Sequence, residues 1–249
     1  MTSPSRSRTS RVLNHILLGI GELLITAGVI VALFLVWQLW WTGIDATEKA
    51  QEVSQTFYQE LPESPKKTAE HHTDPPPVGP QVGYGETIGM LIVPDWYGIT
   101  ENQMPIIEGT GRDVLDQAAA GHYEYTQQIG EVGNFAIAGH RRTNGNSFRR
   151  IDLLEPGDEI VVETADTWYV YTVTDHEIVE PNDVDVIAPV PNEPGADPTE
   201  RYLTLTTCHS TSIGEWGNDH RWITHAKFSY WIPRSEGRPE SVLSDPEVN

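Results

Sequence analysis

The residues that could do chemistry in this chain are one cysteine, one histidine and one arginine, each placed at the end of an apolar run. Cys208 is the only cysteine among 249 residues. It closes an alternating stretch, Leu203-Thr204-Leu205-Thr206-Thr207-Cys208, whose β-branched threonines suit a pleated surface. The thiol is therefore presented where a strand gives way to the polar loop 210–220. Arg221 opens the next strand-like run, 221–228, and His140 directly follows another, 133–139. If the strands ending at Ala138 and Thr207 are neighbours, imidazole and thiol emerge at one rim of a sheet. A thiolate is a nucleophile that a nearby cation favours. A histidine can be that cation and then protonate a departing amine. An arginine stays charged and can hold substrate carbonyls or an oxyanion. Together they support acyl transfer through a thioester.

The neighbours of these three are weighed with them. Arg141 and Arg142 stand beside His140 and compete with Arg221 for the role of substrate cation. Arg141, Thr207 and His122 are candidates for substrate contact or support, His122 leaning structural. His209 points to the face opposite Cys208 if the strand persists, which makes it a poor partner for the thiol. A single cysteine excludes an intrachain disulfide, and an unpaired thiol outside the cell is a candidate reactive group. Glu193, Asp197 and Glu200 offer oxygen ligands of the kind calcium takes. A solvated acidic loop is the plainer reading, and no metal or other cofactor is expected.

These residues must be positioned by a folded part that begins near Tyr84. Strand signals recur at 88–93, 106–109, 133–139, 159–164, 168–173, 203–208 and 221–228, with Ile178 and Val179 extending or following the fifth. Residues 113–120 read as a short helix capped by Asp113, and 148–154 and 183–188 as single turns. About eight short strands with few helices predict a mainly β fold, a closed or nearly closed β-barrel.

The rest of the chain reads as attachment. Residues 1–15 are polar and basic, with Arg6, Arg8 and Arg11. Residues 16–41 are almost wholly apolar and exceed the ~20 residues that a helix needs to cross a bilayer. Glu22 is read as lying near the interface. Basic residues before the span and acidic ones after it put the N-terminus in the cytoplasm and the remainder outside. Residues 42–83 read as an extracellular spacer, helix-compatible at first and Pro-rich from 61, with His71-His72 as part of a solvated linker rather than a metal site. The catalytic domain then covers 84–232, and 233–249 is a disordered tail. The net charge of −20 argues against a nucleic-acid partner.

The stretch 203–209, LTLTTCH, resembles the catalytic strand of sortases, the membrane-anchored cysteine transpeptidases of Gram-positive bacteria. The stretch 132–143, VGNFAIAGHRRT, is similar to the histidine segment of class E sortases, the actinobacterial housekeeping type, and 88–94 and 105–123 extend the likeness. The resemblance implies an eight-stranded sortase-type β-barrel behind one N-terminal transmembrane helix. It also implies a triad of His140, Cys208 and Arg221. It further implies cleavage between Thr and Gly of an LPxTG- or LAxTG-type C-terminal sorting signal. The acyl group would pass to an amine of a cell-wall precursor. Ser210 stands where the family usually has proline, and the Cys-to-Arg loop is long. An L,D-transpeptidase that cross-links peptidoglycan is an alternative, although its Ser-His-Gly-Cys signature is missing. A tethered barrel that only binds peptides is another.

Overall fold

A computed structural model describes residues 8–245, with side chains described for 14–37 and 44–245. Arg6 and residues 246–249 lie outside the described residues, as do the side chains of Arg8 and Arg11. Helix α1 runs Arg8–Gln59 without interruption. Within it Asn14–Trp37 is long and apolar enough to cross a membrane. By its internal contacts the chain divides between Thr42 and Gly43.

The second body is built on eight strands. They are β1 (Thr87–Ile92), β2 (Gln103–Glu108), β3 (Ala120–His122), β4 (Gly133–Ala138), β5 (Glu159–Glu163), β6 (Thr167–Val179), β7 (Arg201–His209) and β8 (His220–Pro233). They close a barrel in the order β1-β2-β3-β4-β7-β8-β6-β5. Pairing is antiparallel except for β2 with β3 and β4 with β7. Alternation sorts the faces. Leu203 and Leu205 of β7, Phe135 and Ile137 of β4 and Tyr169 and Tyr171 of β6 fill the interior with Ile88, Leu91 and Phe148. Burial of these groups is the main stabilising term.

The predicted barrel and most strand positions agree with the structure, whereas three expectations do not. The predicted helix over 113–120 stops after one turn, α2 (Arg112–Leu115), capped at Gly111 rather than Asp113. The helix ends at Leu115 with Asp116 as its C-cap, and Ala118 then takes a positive φ of 54° in the turn that leads the small residues from Ala120 into β3 between β2 and β4.

The Pro-rich segment is not a free spacer. His72 and Trp231 exchange backbone hydrogen bonds at 3.0 and 2.9 Å, and the Tyr169 hydroxyl donates to the Pro77 carbonyl at 2.9 Å. Gly79 donates to Ile129, so close that a Cβ would lie 2.1 Å from the Ile129 side chain. Prolines remove donors but keep carbonyls, so the strap binds through its acceptors and its few remaining N–H groups. His71 stacks on Tyr230 with ring centres 3.7 Å apart, and His72 lies against Trp231.

Nor is the tail after 233 unpacked within the described residues. Arg234 is buried, and its Nε donates to Glu163 at 2.6 Å. Arg238 donates its backbone N–H to Lys67, and helix α3 (Glu240–Leu243) buries Val242. Tyr58 of α1 donates to the same Glu163 carboxylate at 2.7 Å. Burial pushes that carboxyl upward, against the hydrogen bonds from Tyr58 and Arg234.

Candidate active site

Strand β7 presents its residues in two sets. Leu203, Leu205, Thr207 and His209 face one way; Thr204, Thr206 and Cys208 face the other. Cys208 is half-buried and lies directly opposite Arg221 in the antiparallel β7–β8 ladder. Paired residues in such a ladder put their side chains on the same face, so thiol and guanidinium share one. The Arg221 Nη1 donates to the carbonyls of Asn218 at 2.9 Å and His220 at 2.8 Å, which holds the side chain against the end of the loop.

The histidine arrives on the other side of β7. Strands β4 and β7 run parallel with Ala138 opposite Thr206. Gly139 continues the ladder by donating to the Thr206 carbonyl at 3.1 Å, and His140 follows. The Thr207 hydroxyl donates to the Gly139 carbonyl at 2.7 Å, tying the turn that carries the imidazole to the strand that carries the thiol. Gly139 itself packs on Phe148, where a Cβ would come within 2.8 Å of the ring. His140, Cys208 and Arg221 thus converge on one rim of the barrel, as the strand pattern predicted.

Asp116, which sequence reasoning did not single out, accepts at Oδ1 from His140 Nε2 at 2.8 Å and from the Asn144 amide at 2.6 Å. With Nε2–H donated to a carboxylate, Nδ1 is the ring nitrogen left to move a proton. Tyr123 was also passed over in favour of its neighbour His122. Its hydroxyl pairs with Thr206 Oγ1 at 3.0 Å, on the face of β7 that bears the thiol. Burial pushes the phenol upward, so it remains an O–H group. Its ring packs against the apolar patch of Ala136, Val186, Ile187 and Ile223.

The remaining candidates lie elsewhere. His122 is wholly buried, bonded to Glu108 at 2.9 Å and the Gln127 carbonyl at 3.1 Å and stacked on Phe135, so it is a core residue. Arg141 is buried too. It donates to His209 Nδ1 at 2.6 Å and to Asp152 at 3.0 Å, and it lies over Trp222. That engagement removes it as a rival to Arg221. Burial and then the Arg141 charge hold His209 below its ordinary value. Arg142 sits over the Trp216 ring and links the histidine loop to the long loop after Cys208. Among the described residues no group of three or more His, Cys, Asp or Glu side chains is arranged to hold a metal ion, and Glu193, Asp197 and Glu200 are not gathered into one.

This geometry can be compared with known proteins. The sortase-domain family model matches residues 98–229. Sortase SrtE1 of Streptomyces coelicolor is 34% identical over 232 residues, which cover 90% of this chain and 60% of that longer protein. Among solved structures, the SrtA sortase from Actinomyces oris is 74% identical, with a TM-score of 0.69 over 72% of this chain and 100% of its own. Sortase E from Streptomyces avermitilis is 38% identical, with a TM-score of 0.56 over 64% of this chain and 99% of its own.

Proposed function

Because this chain belongs to the sortase family, a family of cysteine transpeptidases, we propose that it cuts a C-terminal sorting signal between Thr and Gly through a Cys208 thioester. The signal is of the LPxTG/LAxTG type, with Leu-Ala favoured as in class E members. The acyl group then passes to an amine of a cell-wall precursor. The observation that carries this reading is the register of β7: Cys208 faces Arg221 across one ladder, and His140 follows the strand paired across the other.

In the first half-reaction the Cys208 thiolate adds to the threonine carbonyl carbon. Arg221 donates to the oxygen as it becomes an oxyanion. The C–N bond to glycine breaks, and the His140 imidazolium gives its proton to the leaving amine. In the second half the acceptor amine attacks the thioester, His140 takes its proton, and the C–S bond breaks to restore the thiolate. Asp116 holds the imidazole by Nε2 throughout, and the Tyr123 hydroxyl offers a donor to the bound peptide. No step needs a metal, and a chelator leaves the rate unchanged. The apolar stretch of α1 anchors the chain in the membrane. The Arg-rich N-terminus lies in the cytoplasm and the barrel outside, where secreted proteins bearing the signal and the acceptor are both present.

The test is mass spectrometry of the full chain in nanodiscs with Leu-Ala and Leu-Pro signal peptides and hydroxylamine. A threonine hydroxamate from the Leu-Ala peptide, absent with Cys208→Ala, is expected. Intact peptides from a folded sample whose thiol still alkylates would overturn the reaction and leave a barrel that only binds peptides.

A further inference from the structure

A chain of side-chain hydrogen bonds crosses four neighbouring strands and returns to the single helical turn Asp185–Ile187 from which it starts. On β4 the Asn134 amide nitrogen donates to the Ala188 carbonyl at 3.0 Å and the Val186 carbonyl at 3.4 Å. The Asn134 amide oxygen accepts from the Thr204 hydroxyl of β7 at 2.9 Å. The same hydroxyl meets His225 Nδ1 of β8 at 3.0 Å, and His225 Nε2 meets Glu177 Oε1 of β6 at 3.1 Å. That carboxylate oxygen accepts from the Asn192 amide at 2.6 Å, and the Asn192 backbone N–H donates to the Asp185 carbonyl at 2.9 Å. The turn is thus held from β4 on one side and from β6 on the other, and the imidazole of His225 joins the two halves.

The turn so held belongs to the face that bears the thiol. Its Val186 and Ile187 pack on Ala136 and Ile223. Ile223 stands opposite Thr206 in the β7–β8 ladder, two residues along β8 from Arg221, which is itself opposite Cys208. The patch therefore begins one pleat repeat, about 7 Å, from the level of the thiol. An extended peptide with its threonine carbonyl at Cys208, running down this face, meets the patch within a few residues. Asn134, Thr204 and His225 are buried, where apolar side chains would fill the space without directional demands. A buried polar network with its members paired specifies one arrangement, because displacement leaves donors and acceptors unpaired in a low dielectric.

We propose that this chain is a clamp that fixes the turn Asp185–Ile187 for the incoming signal peptide, with His225 as the positioning residue that couples its two ends. His225 acts through the turn, so the clamp governs how tightly the signal seats and leaves the acyl-transfer steps alone. The role in seating rests on the transpeptidase reading; the clamp rests on the hydrogen bonds.

The experiment pairs steady-state peptide cleavage with amide hydrogen exchange, both on the full chain in nanodiscs. Glu177→Ala cuts the link between His225 and Asn192. KM for the signal peptide should rise about fivefold, the worth of one hydrogen bond, with kcat unchanged, and exchange across residues 184–192 should quicken. Glu177→Gln, whose amide oxygen still accepts, should restore both. Asn192→Gly removes the link from its exposed end and tolerates the positive φ of 64° found there. Combined with Glu177→Ala it should add nothing, since both changes break one link. A lowered melting temperature with KM and exchange unchanged would overturn the clamp, as would fully additive effects of the two variants. Faster exchange with a parental KM, or a fall in kcat alone, would overturn the role in seating the signal. Faster exchange in the variant of a parent that cuts no signal peptide would remove the transpeptidase reading and leave the clamp.

Discussion

At the scale of single residues, the convergence of His140, Cys208 and Arg221 was legible because each borders an apolar run, and runs are what a sequence displays most plainly. Their supports were not. Asp116 reaches His140 across 24 positions, and it sits in a stretch that reads as a continuing helix although the helix stops just before it, at Leu115. If Asp116 orients the imidazole, Asp116→Ala lowers kcat about tenfold, within the reach of one general acid–base group, and leaves KM for the signal peptide unchanged. Asp116→Asn, whose amide oxygen still accepts from Nε2, recovers much of the loss. A shift confined to KM would show that Asp116 contacts substrate instead. The surroundings of Arg141 were hidden for the converse reason: a charged side chain beside His140 looks available in a sequence, yet it is buried against His209 and Asp152. Their contact has a pH signature. His209 is held below the ordinary histidine value of 6.5. Its stabilising contribution is therefore complete above pH 6.5 and is lost as the pH falls through the lowered folded value. Melting temperature should drop on acidification below pH 6.5, and His209→Gln, which can still accept from Arg141, should flatten that part of the profile. An identical profile in the variant would assign the acid sensitivity elsewhere.

At the scale of elements, period-two patterns located the long strands, and the predicted neighbourhood of Ala138 and Thr207 is met by the parallel pairing of β4 with β7. Strand β3 escaped because three residues are too few to show a period. The strap at 61–83 escaped because prolines and charges mark a segment that cannot build a core. They do not forbid it from lying along one that already exists, through carbonyls that accept from Tyr169 and through aromatic stacking of His71. The pairing of β4 with β7 is finished by a side chain, Thr207 to the Gly139 carbonyl. Thr207→Val removes that hydrogen bond while keeping the shape. The expected result is a loss of about 1 kcal/mol in urea unfolding together with a fall in kcat greater than any change in KM, since the bond sets the turn that delivers His140. A stability loss with unaltered kcat would limit Thr207 to holding the barrel.

At the scale of the whole molecule, residues from 44 onward belong to the body that bears the site. A chain starting at Tyr84 would look sufficient from the strand pattern. It would lack Tyr58 beneath Glu163, Ser64 against Arg234, the His72–Trp231 pair and the Pro77 and Gly79 contacts. At roughly 1 kcal/mol for each hydrogen bond, and about 2–4 °C for each kcal/mol in a body of this size, residues 84–249 should melt about 10 °C or more below residues 44–249 by circular dichroism. Equal melting temperatures would reduce the strap to decoration. The parallel junction of β4 with β7 has a consequence in time. The β5–β6 and β7–β8 pairs are local and can zip early, but Gly139 and Thr207 stand 68 positions apart, and closing so long a loop between parallel strands is slow. The Cys208 thiol is therefore present from the first moment of refolding while His140 takes its place beside β7 with the last event. In stopped-flow refolding, peptide cleavage should return with the slowest phase, well after intrinsic tryptophan fluorescence has begun to recover. A chain that has just begun to fold carries a thiol but not yet an enzyme, because the last junction to close is the one that brings His140 to it.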